Sequence, residues 1–179
     1  MRMSAPTWLP VDRVVSPVAA LMEPAFQAKG VQLRVELDET VPLVWADAEK
    51  LHQVLVNLLA NAIAATAEGG TVTIRAGSRP AEPEEIEVGQ RVGNATFTMM
   101  VTIAVSDTGS GMPEEDLQKA FTPFFTTKAI GKGTGLGLFI SRETVQAHGG
   151  TLTLDSQGGK GTTVVISLPG QSSTAASVA

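Results

Sequence analysis

Asn57 and Asn61 stand four residues apart in a stretch whose apolar residues (Leu51, Val54, Leu55, Leu58, Leu59, Ala62, Ile63) recur at helical spacing. Residues at this separation share one helix face, and asparagine is a poor mid-helix residue because its amide competes with the backbone. A pair of locally bonded surface amides satisfies this pattern, and so does a hard oxygen donor for Mg2+, an ion that takes few protein ligands and keeps phosphates and water. Asp107 closes an apolar run and opens Asp107-Thr108-Gly109-Ser110-Gly111-Met112. Its carboxylate is either a turn former or an acceptor inside a pocket, suited to a donor such as the exocyclic amine of a base. Eleven of the 18 glycines lie between Gly109 and Gly161. Glycine-rich turns that run into helices offer backbone N–H groups and a helix dipole to an anion. The spacing excludes a P-loop, since Lys132 and Lys160 are each followed by glycine, and no G-x-G-x-x-G register fits Gly131, Gly133, Gly135 and Gly137. Gly133-Thr134-Gly135-Leu136-Gly137-Leu138 interleaves glycine with apolar residues, unlike a Gly/Ser linker.

The elements that must position these residues follow from periodicity. Val11 to Phe26 has apolar steps of three and four and predicts a helix, with Pro17 able to restart it and Pro24 expected to bend it. Val31–Leu37 alternates as a strand. Asp47 is the expected N-cap of the asparagine-bearing helix, which Gly69-Gly70 is expected to end. Thr71–Ala76 and Phe97–Ser106 read as strands, and the Pro- and Glu-containing segment 78–96 between them as a long exposed hairpin loop. A short helix is expected near Pro113–Ala120 and a longer one from about Gly135 to His148, with Gly149 as its stop. Thr151–Leu154 and Thr163–Leu168 read as the last two strands, joined through Gly158-Gly159-Lys160-Gly161. This order predicts a two-layer α/β sandwich.

The 179 residues suffice for one domain with a real core. With 43% hydrophobic and 17% charged residues the chain is not a disordered polar one. The absence of cysteine removes disulfides, thiolate metal sites and a cysteine nucleophile. A net charge of −5 argues against nucleic-acid binding through a basic surface. No apolar run approaches the ~20 residues of a membrane span and no signal peptide is read, so a soluble, cytoplasmic location is expected. Between Leu117 and Arg142 there is no acidic residue, while Lys119, Lys128, Lys132 and Arg142 are basic. An acidic domain thus keeps one stretch suited to an anion.

Together these pieces resemble the ATP-binding catalytic domain of sensor histidine kinases, in the superfamily shared with gyrase, Hsp90 and MutL. The segment 51–62 is similar to the N box, Asp107–Met112 to a first glycine box and Phe121-Thr122-Pro123-Phe124-Phe125 to the F box. Gly133–Leu138 is similar to a second glycine box and Gly159-Lys160-Gly161-Thr162 to a third, and Pro123–Lys128 resembles the nitrogen-regulation and oxygen-sensing (NtrB- and FixL-like) subgroup. The resemblance implies a Bergerat fold: a mixed, mostly antiparallel sheet covered on one face by about three helices, with a mobile ATP lid over about 119–134. It divides the chain into an extension (1–10), the catalytic domain (11–169) and a flexible tail (170–179).

The resemblance also implies roles. ATP and Mg2+ are the cofactors. Asn61 would hold the metal with Asn57 alongside, and Asp107 would accept from the adenine amino group. Gly109 and Gly111 would let the backbone approach the base, next to Met112, and Thr162 would support that end. Gly133, Thr134, Gly135, Leu136, Gly137 and Leu138, with Thr127, would close over the phosphates and start the following helix. Phe121, Phe124 and Phe125 would anchor the lid. Lys128 would contact the γ-phosphate, ahead of Lys132, because Ala64 and Ala65 stand where some relatives carry a basic residue. Asn57 replaces the glutamate that activates water in gyrase-like ATPases, so ATP hydrolysis should be slow. His52 and His148 lack the acidic neighbour of a phosphoacceptor and read as structural. The implied partner is the helical dimerisation and histidine-phosphotransfer domain of the same kinase and, indirectly, a response regulator; no nucleic acid or membrane contact is expected, and the isolated domain should be monomeric. A gyrase- or Hsp90-like ATPase and a nucleotide-binding regulatory module remain the alternatives.

Overall fold

The computed structural model describes residues 5–92, 97–128 and 133–171. In chain order the elements are β1 (Thr7–Leu9), α1 (Asp12–Lys29), β2 (Gln32–Leu37), β3 (Leu43–Ala46), α2 (Ala48–Ala65), β4 (Thr71–Pro80) and α3 (Pro83–Val92). They continue with β5 (Met99–Asp107), α4 (Glu114–Leu117), α5 (Gly137–Ala147), β6 (Thr151–Gln157) and β7 (Gly161–Gln171). The seven strands form one sheet in the order β1-β3-β7-β5-β4-β2, with β6 also on β7. β6 takes residues 161–167 of β7, and β3 takes Gly170 and Gln171. Only β2 and β4 pair in parallel; the other pairings are antiparallel. The expected mixed, mostly antiparallel sandwich is therefore present.

Strand alternation supplies the core face. Val72 and Ile74 of β4, Val101, Ile103 and Val105 of β5, and Ile166 and Leu168 of β7 are buried in one cluster with α1, α2 and α5 residues. The opposite parity carries Thr73, Arg75, Thr102, Ser106 and Thr163, and Ser106 and Thr163 share a hydroxyl hydrogen bond of 2.9 Å. α2 presents Leu51, Val54, Leu55, Leu58, Leu59 and Ala62 to the core. Its cap is the expected one: Asp47 Oδ1 accepts from the Glu49 and Lys50 amides at 3.0 and 3.2 Å.

Several expectations change. α1 is one helix that contains both Pro17 and Pro24, without a restart at Pro17. Pro17 has no N–H for the Arg13 carbonyl, and that carbonyl instead accepts from His52 Nε2 at 3.1 Å. Pro24 frees the carbonyl of exposed Ala20, which water can satisfy. α2 ends at Ala65, four residues before the glycine pair, because Thr66 turns extended and bonds back to the Ala62 carbonyl through Oγ1. Residues 78–92 are not a plain hairpin loop, and 93–96 lie outside the described residues. β4 extends to Pro80, and α3 starts with Pro83, Glu84 and Glu85 in its first turn, where proline and acidic residues favour a helix N-terminus. Glu85 receives both Arg79 guanidinium amines, at 2.6 and 2.7 Å. β1 and β3 were not anticipated; they pair through Trp8 and Trp45, whose rings lie 5.2 Å apart. β1 draws on the expected extension, and β7 continues through Gly170 and Gln171 of the expected tail. Residues 172–179 lie outside the described residues.

α5 begins at Gly137 and stops where expected, with Gly149 at φ 74° and the Gly150 amide donating to the Val145 carbonyl. Its C-cap, His148, is buried; Nδ1–H donates to the Thr144 carbonyl at 2.7 Å, and Nε2 accepts the Asp47 amide at 3.1 Å. The imidazole thereby pins the end of α5 to the start of α2. His148→Leu leaves the buried Asp47 N–H unpaired and is expected to cost about 2 kcal/mol of unfolding free energy. Urea denaturation checks this, and an unchanged midpoint would show that the pin is dispensable.

Candidate functional site

Where the end of α2 meets the ends of β5, β6 and β7 lies a cavity of about 640 Å³. Its floor is apolar, with Val105, Leu154 and Val164 from adjacent strands and Leu58, Ala62 and Ala65 from α2. Asp107, the last residue of β5, lines one part, and Asn57 and Asn61, one turn apart on α2, line another.

Asp107 is held by its own turn. Its Oδ1 accepts the Gly109 amide at 2.8 Å and the Thr162 amide at 3.3 Å. Both bonds fall on one oxygen, so the carboxylate keeps acceptor capacity toward the cavity. Burial pushes this carboxyl above its ordinary range, against the two backbone bonds, which lower it. The turn sits hard against α2. The Ser110 amide donates to the Ala65 carbonyl at 3.1 Å, and a Cβ on Gly109 would lie 2.4 Å from that same oxygen. On the other side Gly111, at φ 64°, faces the Gln157 carbonyl, which a Cβ would approach to 2.0 Å. Backbone packing on its own demands glycine at both positions. Gly111 lines the cavity and Gly109 does not.

Ser156, which periodicity did not single out, completes this end. Its Oγ accepts the Met112 amide at 2.9 Å and lies 2.8 Å from Thr162 Oγ1. The signal was available: a turn centred on residues 158–160 places Ser156 opposite Thr162 in the β6–β7 register.

At the other end the two limbs of the expected lid stem come together. The Phe124 amide donates to the Gly135 carbonyl at 2.9 Å, and a Cβ on Gly135 would meet the Phe124 carbonyl carbon at 2.4 Å. Gly133 packs against Thr126 and Lys128, and Gly137 against Asn57 Oδ1, 2.2 Å from where its Cβ would stand. Asn57 Nδ2 donates to Ser141 Oγ at 3.0 Å, tying α2 to α5. Lys128 Nζ donates to Asn61 Oδ1 at 3.2 Å. Residues 129–132, with Lys132 among them, lie outside the described residues.

The structure gathers most of the anticipated residues. Asn57, Asn61, Asp107, Gly111, Met112, Thr127, Lys128, Gly133, Thr134, Gly135, Gly137, Leu138 and Thr162 line one cavity. Besides Gly109, Phe121 and Leu136 are not in the lining. Phe121 packs on the core with the Arg142 guanidinium 4.9 Å above its ring; Leu136 takes the position before α5, its carbonyl accepting from Ile140. The three phenylalanines do not act alike. Phe125 lines the cavity, whereas Phe124 is 74% exposed, so that residue ties the lid stem through its backbone, at φ 67°, and not through a buried ring. Phe125, Thr126 and Ser110 are additional lining residues.

Among the described residues no helix is long and apolar enough to cross a membrane. Residues 46–172 match the family described as histidine kinase-, DNA gyrase B-, and HSP90-like ATPases. Sensor kinase CckA of Brucella abortus (strain 2308) is 40% identical over 141 residues, 79% of this chain and 15% of that protein. Sensor histidine kinase ZraS of Escherichia coli (strain K12) is 38% identical over 142 residues, 79% of this chain and 26% of that protein. The chain thus spans about a quarter or less of the length of these relatives. The solved catalytic domain of histidine kinase ThkA aligns over 92% of this chain and 97% of its own, with 30% identity and a TM-score of 0.71. Full-length ShkA in complex with AMPPNP aligns over 97% of this chain and 32% of its own, with 26% identity and a TM-score of 0.74.

The raised Asp107 carboxyl has a consequence for stability. Above the ordinary carboxylate value the folded chain holds a proton that the unfolded chain has released, so stability falls as pH rises through that interval. At neutral pH the ionised group carries its desolvation cost. Asp107→Asn keeps an oxygen for the Gly109 and Thr162 amides and is expected to melt above wild type at pH 7. The gain should shrink as pH is lowered through the carboxylate range; a lower melting temperature at pH 7 would contradict this.

Proposed function

Because the chain belongs to the histidine kinase-, DNA gyrase B-, and HSP90-like ATPase family, on its sensor-histidine-kinase branch, we propose that it binds Mg–ATP and supplies the γ-phosphoryl group to a histidine on a separate helical dimerisation domain. The observation that carries this reading is the single cavity with a carboxylate on an apolar floor at one end and an amide–ammonium pair at the other. Asp107 accepts from the exocyclic amine of adenine, and Val105, Leu154 and Val164 take the flat face of the base. The triphosphate runs toward Asn61, where Lys128 contacts the γ-phosphate.

The residues present fit the metal this reading implies. Asn61 Oδ1 is a hard amide oxygen that already takes a cation, the Lys128 ammonium. Asn61 would hold Mg2+, which supplies charge neutralisation across the phosphates when bound. Asn57 is engaged elsewhere, with its amide on Ser141 and its oxygen under Gly137. An amide there accepts no proton from water, which supports transfer over hydrolysis. Both histidines have structural bonds: His148 holds Asp47 and Thr144, and His52 holds the Arg13 carbonyl. The phosphoacceptor is therefore a histidine of another domain, from which a response regulator would take the group. The same reading takes the domain from β1 at Thr7 to the end of β7 at Gln171, a few residues beyond the expected 11 and 169, and gives the isolated domain no membrane or nucleic-acid contact of its own.

The test is titration of this chain with ATP and Mg2+, followed by mixing with the histidine-bearing helical hairpin of its parent kinase. Phosphohistidine should form on the hairpin only, while phosphate release without it stays slow. Asn61→Ala should remove the Mg2+-dependent part of ATP affinity, of order tenfold or more, and leave the metal-free part. Rapid phosphate release without acceptor would favour a gyrase-like ATPase, and binding without transfer would favour a regulatory module.

A further inference from the structure

Helix α2 leaves its last carbonyls exposed to whatever can reach them, and each of the last four has a partner. Ala62 O takes the Thr66 hydroxyl and Ala65 O takes the Ser110 amide at 3.1 Å. The two between them, Ile63 O and Ala64 O, take one side chain from a distant part of the chain: Lys29 Nζ donates to both, at 3.3 Å for Ala64. Lys29 is the last residue of α1, and its position is fixed. Gly30 follows in the left-handed conformation at φ 68°, its amide on the Gln27 carbonyl and its carbonyl on the Gly69 amide at 2.7 Å. The ammonium also sits at the negative end of the α2 dipole, where a cation is favoured. The next residue, Ala65, lines the cavity, and its carbonyl is the surface on which the Asp107 turn rests.

We propose that Lys29 is a positioning residue for the base end of the cavity. It fixes the final carbonyls of α2, α2 fixes Ser110 and Gly109, and the Gly109 amide fixes the Asp107 carboxylate. The inference rests on the reading of Asp107 as the group that receives the base. Lys29 touches neither nucleotide nor metal, and it acts only through this chain of backbone contacts.

ATP binding by this chain, paired with hydrogen exchange at the Ser110 amide, tests it. Lys29→Met should weaken ATP about two- to fivefold, with faster exchange at Ser110 and unchanged exchange at the start of α2. Lys29→Arg, whose guanidinium can reach the same two carbonyls, should restore both. Wild-type affinity in Lys29→Met overturns the proposal, as does weakened binding with Ser110 still protected, or an Arg variant as weak as the Met variant. Asp107→Asn run alongside separates the two claims. If it loses ATP while Lys29→Met does not, only the role of Lys29 fails; if it binds ATP as wild type does, the reading of Asp107 fails and the proposal with it.

Discussion

The last carbonyl of α2, on Ala65, meets the Ser110 amide at 3.1 Å, and this contact joins the helix layer to the sheet layer beside the cavity. The approach is possible only because Gly109 has no Cβ to strike that oxygen. Everything at this end follows from it. The turn after β5 is held against α2, its Gly109 amide reaches back to Asp107, and the Thr162 amide of the neighbouring strand reaches the same carboxylate oxygen. A buried carboxylate is costly unless bonded. Here it is bonded on one side and left with capacity on the other, which is the condition for a recognition group. The raised carboxyl shows that burial outweighs the two bonds.

The opposite end uses the same device. Gly135 lets the chain close on the Phe124 backbone, and Gly137 lets α5 start against the Asn57 amide. A single helix, α2, therefore carries the reference points for both ends. His148 sets where it starts, through the Asp47 amide, and Lys29 and Thr66 set how it ends. The positive charge of Lys128 is delivered to Asn61 from a segment without acidic residues, so a net-acidic domain presents an anion-compatible surface where the phosphates are expected.

What was legible in the sequence was local. The apolar period of α2, its Asp47 cap, the paired asparagines, Asp107 at a strand end and the Gly149 stop all sit within a few residues of the signal that reveals them. The glycine segments were also legible as unusual, although Gly109 and Gly111 serve backbone packing. What was not legible depended on distant partners. Pro17 looks like a helix restart until the Arg13 carbonyl it frees is seen to meet His52. Pro83 and the glutamates of 82–87 read as loop until Arg79 supplies the fork for Glu85. β1 and β3, of three and four residues, carry too little periodicity to stand out and exist through pairing with each other and with the end of β7. Lys29 gave no signal of its own, because it acts on backbone brought to it by the fold.

The central claim is that the Asp107 carboxylate reads the exocyclic amine of the base. Calorimetric titration of wild type and Asp107→Asn with ATP and with inosine triphosphate, which carries a carbonyl in place of that amine, tests it most directly. The account predicts that wild type prefers ATP by at least about tenfold, as expected when a buried polar group loses its partner, and that Asp107→Asn loses or reverses the preference. Equal affinity of wild type for the two nucleotides, or a preference unchanged in Asp107→Asn, would contradict it.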